Sequence, residues 1–177
     1  MLIIKLIMGW EKMYKGIIFD LDETIVNSTS LKDYRDSRDW KSCYSNTHLT
    51  TIYEGLDNLQ TYIRQQNLKV GIVTMSPKSY AKRLLAYHSI HFDNLIAYHD
   101  VKKRKPHPEP MIKCAMALGI QPNELISLGD DKRDIESANS AAITSVGVTW
   151  GCTSKEELLT ANPDYIIDDI NQLYKLL

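Results

Sequence analysis

Apolar residues along this chain fall into short unbroken runs separated by segments of helical spacing. Ile17 to Phe19 follow Gly16 as one such run and stop abruptly at Asp20. A short apolar run bounded by polar residues reads as a buried strand. After a polar, irregular stretch over 25–50, Ile52, Leu56, Leu59 and Ile63 recur at helical spacing and predict a helix to about Asn67. Val70 to Val73 predicts a second strand closing on Thr74, and Pro77 opens a helix through Tyr80, Leu84 and Leu85. Leu95 to Tyr98 predicts a third strand, followed by the basic, proline-rich loop Lys102 to Pro110. The next helix runs from Pro110 to Leu118, with Gly119 placed to cap it. Leu125 to Leu128 predicts a fourth strand closing on Gly129-Asp130-Asp131, then a helix from about Lys132 to Ala142. Thr144 to Val148 is a fifth strand, and Tyr165 to Ile167 a sixth at the edge, before a last helix through Leu177.

Strand alternating with helix predicts a doubly wound, mostly parallel, Rossmann-like α/β sheet. At 177 residues the chain is expected to form a single domain, 1–177, with residues 25–51 as a small cap insertion of one helix plus a loop. In such a sheet the ligand crevice lies beyond the carboxyl ends of the strands. Asp20, Asp22, Thr74, Asp130 and Asp131 all fall there, and Lys105, after the third strand, can reach the same edge.

Composition narrows the partners. A formal net charge of −1 gives no broad electrostatic grip on nucleic acid or an anionic membrane, although the Lys102-Lys-Arg-Lys105 run leaves a local patch open. Cys43, Cys114 and Cys152 lack metal-site spacing and read as free thiols of a reducing compartment. The apolar opening Met1 to Met8 is too short to span a membrane and no small-residue cleavage site follows it. It reads as a short extension packed on the domain, and the protein as cytoplasmic.

Carboxylates at the end of a buried strand need a compensating cation or proton. Phosphoryl transfer needs a nucleophile, a divalent cation, donors for the phosphate oxygens and a proton relay. Asp20 is the candidate nucleophile, because a carboxylate can form an aspartyl phosphate. Asp22, two positions on in an extended segment, points the same way and can pass a proton to the leaving oxygen. Thr74, with Met75 and Ser76 beside it, offers a hydroxyl and backbone N–H groups to phosphate, and Lys105 offers a positive charge. Asp130, with Asp131 or Asp134, supplies hard oxygen ligands suited to Mg²⁺.

In the insert, Arg35 and Arg38 share a face if the stretch is helical. Beside Tyr34 and Trp40 they are candidate contacts to a second phosphate or a stacked base; the plainer account is a solvated surface helix. His48, His88, His91, His99 and His107 show no ligand spacing.

Taken together these motifs resemble those of the haloacid dehalogenase superfamily, in the branch containing phosphoglycolate phosphatases. Asp20-Leu-Asp-Glu-Thr24 matches the first motif, Gly71-Ile-Val-Thr-Met-Ser-Pro77 resembles the second, Lys105-Pro-His-Pro-Glu-Pro110 the third and Gly129-Asp-Asp-Lys-Arg-Asp134 the fourth. The resemblance covers roughly 15–170. It implies Asp20 as nucleophile, Asp22 as general acid and base, and Mg²⁺ held by Asp20, the Asp22 backbone carbonyl and Asp130. Met75 stands where the family usually has Asn, Asp131 is a less usual neighbour of Asp130, and the insert is far shorter than a full helical cap. A short insert implies an open site, covered by a large substrate or by another subunit, possible in a homo-oligomer. The expectation is therefore a Mg²⁺-dependent phosphate monoester hydrolase whose phosphorylated substrate is unidentified. Alternatives are a phosphatase for protein or nucleic-acid phosphates and a phospho-accepting receiver module. A receiver lacks an acid two residues after its phosphorylated aspartate, which sets it apart from this sequence.

Overall fold

The structure, a computed structural model, describes residues 14–177. The Met1 to Met8 extension lies outside the described residues. Among the described residues no helix is long and apolar enough to cross a membrane.

Strand β1 (Gly16–Phe19) is buried along its whole length. Its side chains alternate between two cores, as a pleated strand requires. Ile17 and Phe19 pack with residues of α3 (Leu56–Gln65) and α4 (Lys78–Tyr87), whereas Ile18 packs with residues of α5 (Glu109–Leu118) and α6 (Lys132–Ser140). Helices thus cover both faces of one sheet. Strands β4 (Lys69–Val73), β5 (Asn94–Ile96), β6 (Leu125–Gly129), β7 (Thr144–Val148) and β8 (Tyr165–Ile167) complete it in the order β5-β4-β1-β6-β7-β8. Every pairing is parallel. The chain builds outward from β1 through β4 to β5, then returns to the other side of β1 with β6. That reversal opens a crevice at the carboxyl ends of β1, β4 and β6.

The doubly wound parallel sheet is the one the sequence predicts; the departures are local. Thr51–Ile52 does not begin the predicted helix: it forms strand β3, antiparallel to β2 (Val26–Asn27). Gly55, at φ +87°, turns the chain into α3, which starts at Leu56. The insert between β2 and β3 holds two short helices, α1 (Lys32–Asp36) and α2 (Trp40–Ser45), with a 3₁₀ turn on either side, where one helix plus a loop was expected. The strand predicted to reach Tyr98 ends at Ile96, because the Asp100 N–H closes a turn onto the Ala97 carbonyl. The final helix is a 3₁₀ segment, Ile170–Lys175, and α7 (Lys155–Leu159) was not foreseen. Cys43, Cys114 and Cys152 are free thiols.

Leu84 on α4 is fully buried in the core that also holds Ile17 and Phe19. Leu84→Ala should lower unfolding free energy by about 2–5 kcal/mol through lost burial and the cavity left behind, measured by urea denaturation.

Candidate active site

Parallel register brings the site acids together. Phe19 pairs with Ile72 on one side and Leu128 on the other. The next residue in each strand direction places Asp20 beside the ends of β4 and β6, and the Asp20 N–H donates to the Leu128 carbonyl at 2.9 Å. Asp130 follows β6 by one residue and Thr74 follows β4 by one residue. Asp134 enters from the first turn of α6. Carboxylate oxygens of Asp20, Asp130 and Asp134 lie within 4.8 Å of one another, and all three residues are buried.

Lys105 stands at the centre of this cluster, 6% exposed, carried in by the loop after β5. Its ammonium donates to Asp20 Oδ1 at 2.7 Å, to the Val73 carbonyl at 3.0 Å and to Asp134 Oδ1. Asp130 is held separately: its Oδ1 accepts from the Thr24 hydroxyl at 3.1 Å and its Oδ2 from the Cys152 N–H at 2.9 Å. Two glycines make room for these acids. A Cβ on Gly129 would lie 2.2 Å from Asp134 Cβ, and one on Gly151 would lie 2.2 Å from Asp130 Cβ.

Burial, reinforced by crowding of like charge, sets the protonation. Burial pushes Asp20 well above the usual carboxylate range, against the opposing pull of Lys105, and Asp134 and Asp130 push the same way. Burial likewise raises Asp130 to about 6, although its hydrogen bonds to Cys152 and Thr24 oppose the rise. Burial works against the charge of Lys105, but Asp134 and Asp20 outweigh it and hold the ammonium above the ordinary lysine range. Three carboxylates against one ammonium leave negative charge that a further cation would relieve, and hard carboxylate oxygens at this spacing suit a small divalent ion.

Asp22 and Asp131 lie outside the three-acid cluster. The Asp131 side chain caps α6: its Oδ1 accepts from the Arg133 N–H at 2.8 Å, and its carboxylate also pairs with the Arg133 guanidinium. Burial alone would raise the Asp131 acid, yet its bonds to Arg133 hold it below the usual range. Asp22 is surrounded by donors. Its Oδ1 accepts from Ser28 at 2.7 Å and Tyr80 at 2.8 Å and pairs with Arg35; its Oδ2 accepts from Ser76 at 2.6 Å. Thr74 accepts the Ser76 N–H on its side-chain oxygen at 3.0 Å, which leaves its own hydroxyl proton to donate.

These residues line a cavity of about 500 Å³, the size of a small-molecule site. Asp20, Asp22, Thr74, Met75, Ser76, Lys105, Asp130, Asp131 and Asp134 all contribute to its wall, as do Arg35 and Arg38. The two arginines are not equivalent. Arg35 pairs with Asp22 and Glu23, whereas the exposed Arg38 side chain has no carboxylate partner among the described residues. Glu23, Ser28 and Tyr80 were missed from sequence. Glu23 lies inside the Asp-Leu-Asp-Glu-Thr segment, but nothing in its spacing shows that it would turn back at φ +62° to meet the insert.

A family model described as haloacid dehalogenase-like hydrolase matches residues 31–148. Phosphoglycolate phosphatase of Salmonella typhimurium is 35% identical over 130 residues, covering 72% of this chain and 52% of that protein. A protein of Caldanaerobacter subterraneus, provisionally named pyrophosphatase PpaX, is 34% identical over 149 residues, covering 83% of this chain and 66% of its own length. The chain therefore spans between about half and two thirds of the length of these curated relatives. Among solved structures, that of a predicted phosphoglycolate phosphatase from Haemophilus somnus superposes with a TM-score of 0.80 at 22% identity, covering 95% of this chain and 99% of that one. At that identity the likeness is one of fold. With most of its sheet and helices inside the matched segment, this chain belongs to the haloacid dehalogenase-like hydrolase family.

Proposed function

We propose that this protein is a Mg²⁺-dependent phosphatase that hydrolyses a phosphate monoester through an aspartyl phosphate on Asp20. The observation that carries this reading is the ammonium of Lys105 bonded to both Asp20 and Asp134, with Asp130 in the same buried cluster. The names of the relatives, a phosphoglycolate phosphatase and a provisional pyrophosphatase, point the same way.

Asp20 and Asp130, with the Asp22 backbone carbonyl, would hold the ion, and Asp134 in place of Asp131 would complete its surroundings. Bound there, Mg²⁺ would supply charge neutralisation for the phosphate oxygens. An Asp20 oxygen attacks phosphorus while the bond to the leaving oxygen breaks, and Asp22 gives that oxygen its proton, releasing an alcohol. Water then attacks the phosphorus, the Asp20–phosphorus link breaks, and Asp22 takes back a proton. Inorganic phosphate leaves with both aspartates restored. Lys105 keeps Asp20 oriented and offsets charge on the transferring group, and the Thr74 hydroxyl donates to a phosphate oxygen, with Met75 and Ser76 forming the wall beside it. Arg38, with no acidic partner among the described residues, also lines the cavity and would be free to meet the leaving group. No phosphate ester is identified beyond that chemistry.

Asp20→Asn should lower phosphate release from 4-nitrophenyl phosphate, phosphoglycolate or pyrophosphate by about 10⁴-fold or more, and EDTA should abolish release by the unaltered protein. Full turnover by purified Asp20→Asn protein would overturn the mechanism.

A second prediction is independent of turnover. Added Mg²⁺ should raise the thermal midpoint of the unaltered protein by binding the folded state. Asp130→Asn removes one of three crowded like charges, so the metal-free variant should keep or gain stability while its Mg²⁺ response disappears. An undiminished Mg²⁺ shift in Asp130→Asn would place the ion elsewhere.

A further inference from the structure

We infer that Arg35, from the short insert, is a positioning residue that fixes the orientation of Asp22, and that Glu23 is the anchor that holds Arg35 in place. This assignment rests on the phosphatase reading above, and it adds a role to an arginine that the sequence offered as a substrate contact or as part of a solvated surface helix.

Both terminal amino groups of Arg35 are engaged. One pairs with Asp22 Oδ1 and donates to the Ser28 hydroxyl at 2.7 Å; the other donates to Glu23 Oε1 at 3.1 Å. A guanidinium occupied in this way has little left for a ligand. Glu23 is in turn secured by the insert and the segment after it. Its carboxylate accepts from Thr29 at 2.9 Å and the Tyr53 hydroxyl at 3.3 Å, and at 3.0 Å it shares with Asp22 the single proton of the Ser28 hydroxyl. Helix α1, which carries Arg35, has no buried residue of its own. Its side-chain attachment to the site therefore runs through this arginine, whose side chain is 14% exposed.

The Asp22 carboxylate is bracketed from two directions. Ser28 and Arg35 reach it from the insert side, and Ser76 and Tyr80 reach it from α4 and the loop before that helix. Three of these donors are hydroxyls, which rotate and follow a turning carboxylate. Arg35 is the exception: its charged bond to Oδ1 is the stronger one, and its rigid guanidinium, held at the other nitrogen by Glu23, fixes where that oxygen lies. The Arg35–Glu23 pair clamps the insert against the segment after Asp22. The added contact to Asp22 ties that structural clamp to the residue that delivers the proton.

Such a role has a distinctive kinetic signature. An alkoxide cannot leave phosphorus without a well-aimed proton, whereas 4-nitrophenolate leaves without one. Losing the aim of Asp22 should therefore slow esters of poor leaving groups and spare the good one. The experiment compares kcat and KM of unaltered, Arg35→Ala, Arg35→Lys and Ser76→Ala proteins, with Mg²⁺ present, on glycerol phosphate and 4-nitrophenyl phosphate. Arg35→Ala should lose about 10²-fold in kcat on glycerol phosphate, with KM and 4-nitrophenyl phosphate turnover little changed. Arg35→Lys keeps the charge without the fork and should fall between. Ser76→Ala, which loosens the other oxygen of the same carboxylate, should show a loss of the same kind and provides the test if Arg35→Ala does not fold. Equal losses on both esters, or a loss confined to KM, would overturn the positioning role while leaving the phosphatase reading intact. Turnover of these esters that survives Asp20→Asn would overturn that reading and this assignment with it.

Discussion

The paired bonds of the Lys105 ammonium to Asp20 and Asp134 join three segments distant in sequence: the end of β1, the loop after β5 and the first turn of α6. A buried lysine is stable there because two carboxylates surround it, and the carboxylates tolerate burial in part because the lysine is there. Neither half stands without the other. The third bond of Lys105, to the Val73 carbonyl, adds the end of β4. The carboxyl edge of the sheet is thereby drawn together around one charge centre. Space for it depends on Gly129 and Gly151, whose missing side chains leave Asp134 and Asp130 their positions.

Asp22 belongs to a second charge centre beside the first. Asp20 and Asp22 are separated by one residue, yet their side chains enter different networks. Asp20 joins Lys105, while Asp22 joins Arg35 and three hydroxyls. On the proposed mechanism this separation divides the chemistry, with one carboxylate kept for attack and the other held for proton delivery. Identical residue types acquire different tasks because their neighbours differ.

Much of this was legible in the sequence. Apolar runs marked β1, β4 and β6; Asp20 and Thr74 directly follow the first two and Asp130 comes two residues after the third, because a strand buried on both faces has a clear apolar signature and a sharp end. The choice between Asp131 and Asp134 was not legible, since it depends on which acid caps α6 and which turns inward. In the structure Asp131 is the N-cap, while Asp134 accepts the Asp131 N–H on one oxygen in the same capping box and turns its other oxygen inward to Lys105. The insert was least legible. Strands of two residues carry no periodicity, so β2 and β3 left no trace, and Ile52 was absorbed into the helical spacing of α3. Arg35 and Arg38 looked like a pair from their spacing, but α1 ends at Asp36 and Arg38 lies beyond it at φ +58°.

That break between the two arginines bears on how so short an insert can serve a site. A full cap closes over its substrate by moving, which requires weak attachment to the core in the open state. Here the insert is tied by Arg35 to both Asp22 and Glu23, and Glu23 is bonded again to Ser28, Thr29 and Tyr53. Lifting it would break charged bonds at a partly buried site, so on the proposed reading it acts as a fixed wall instead of a lid. Substrate would enter a preformed cavity whose remaining breadth is lined by Arg38, Trp40 and His99. Discrimination among phosphate esters then falls on these side chains and on the shape of the wall, because a fixed wall cannot select by closing.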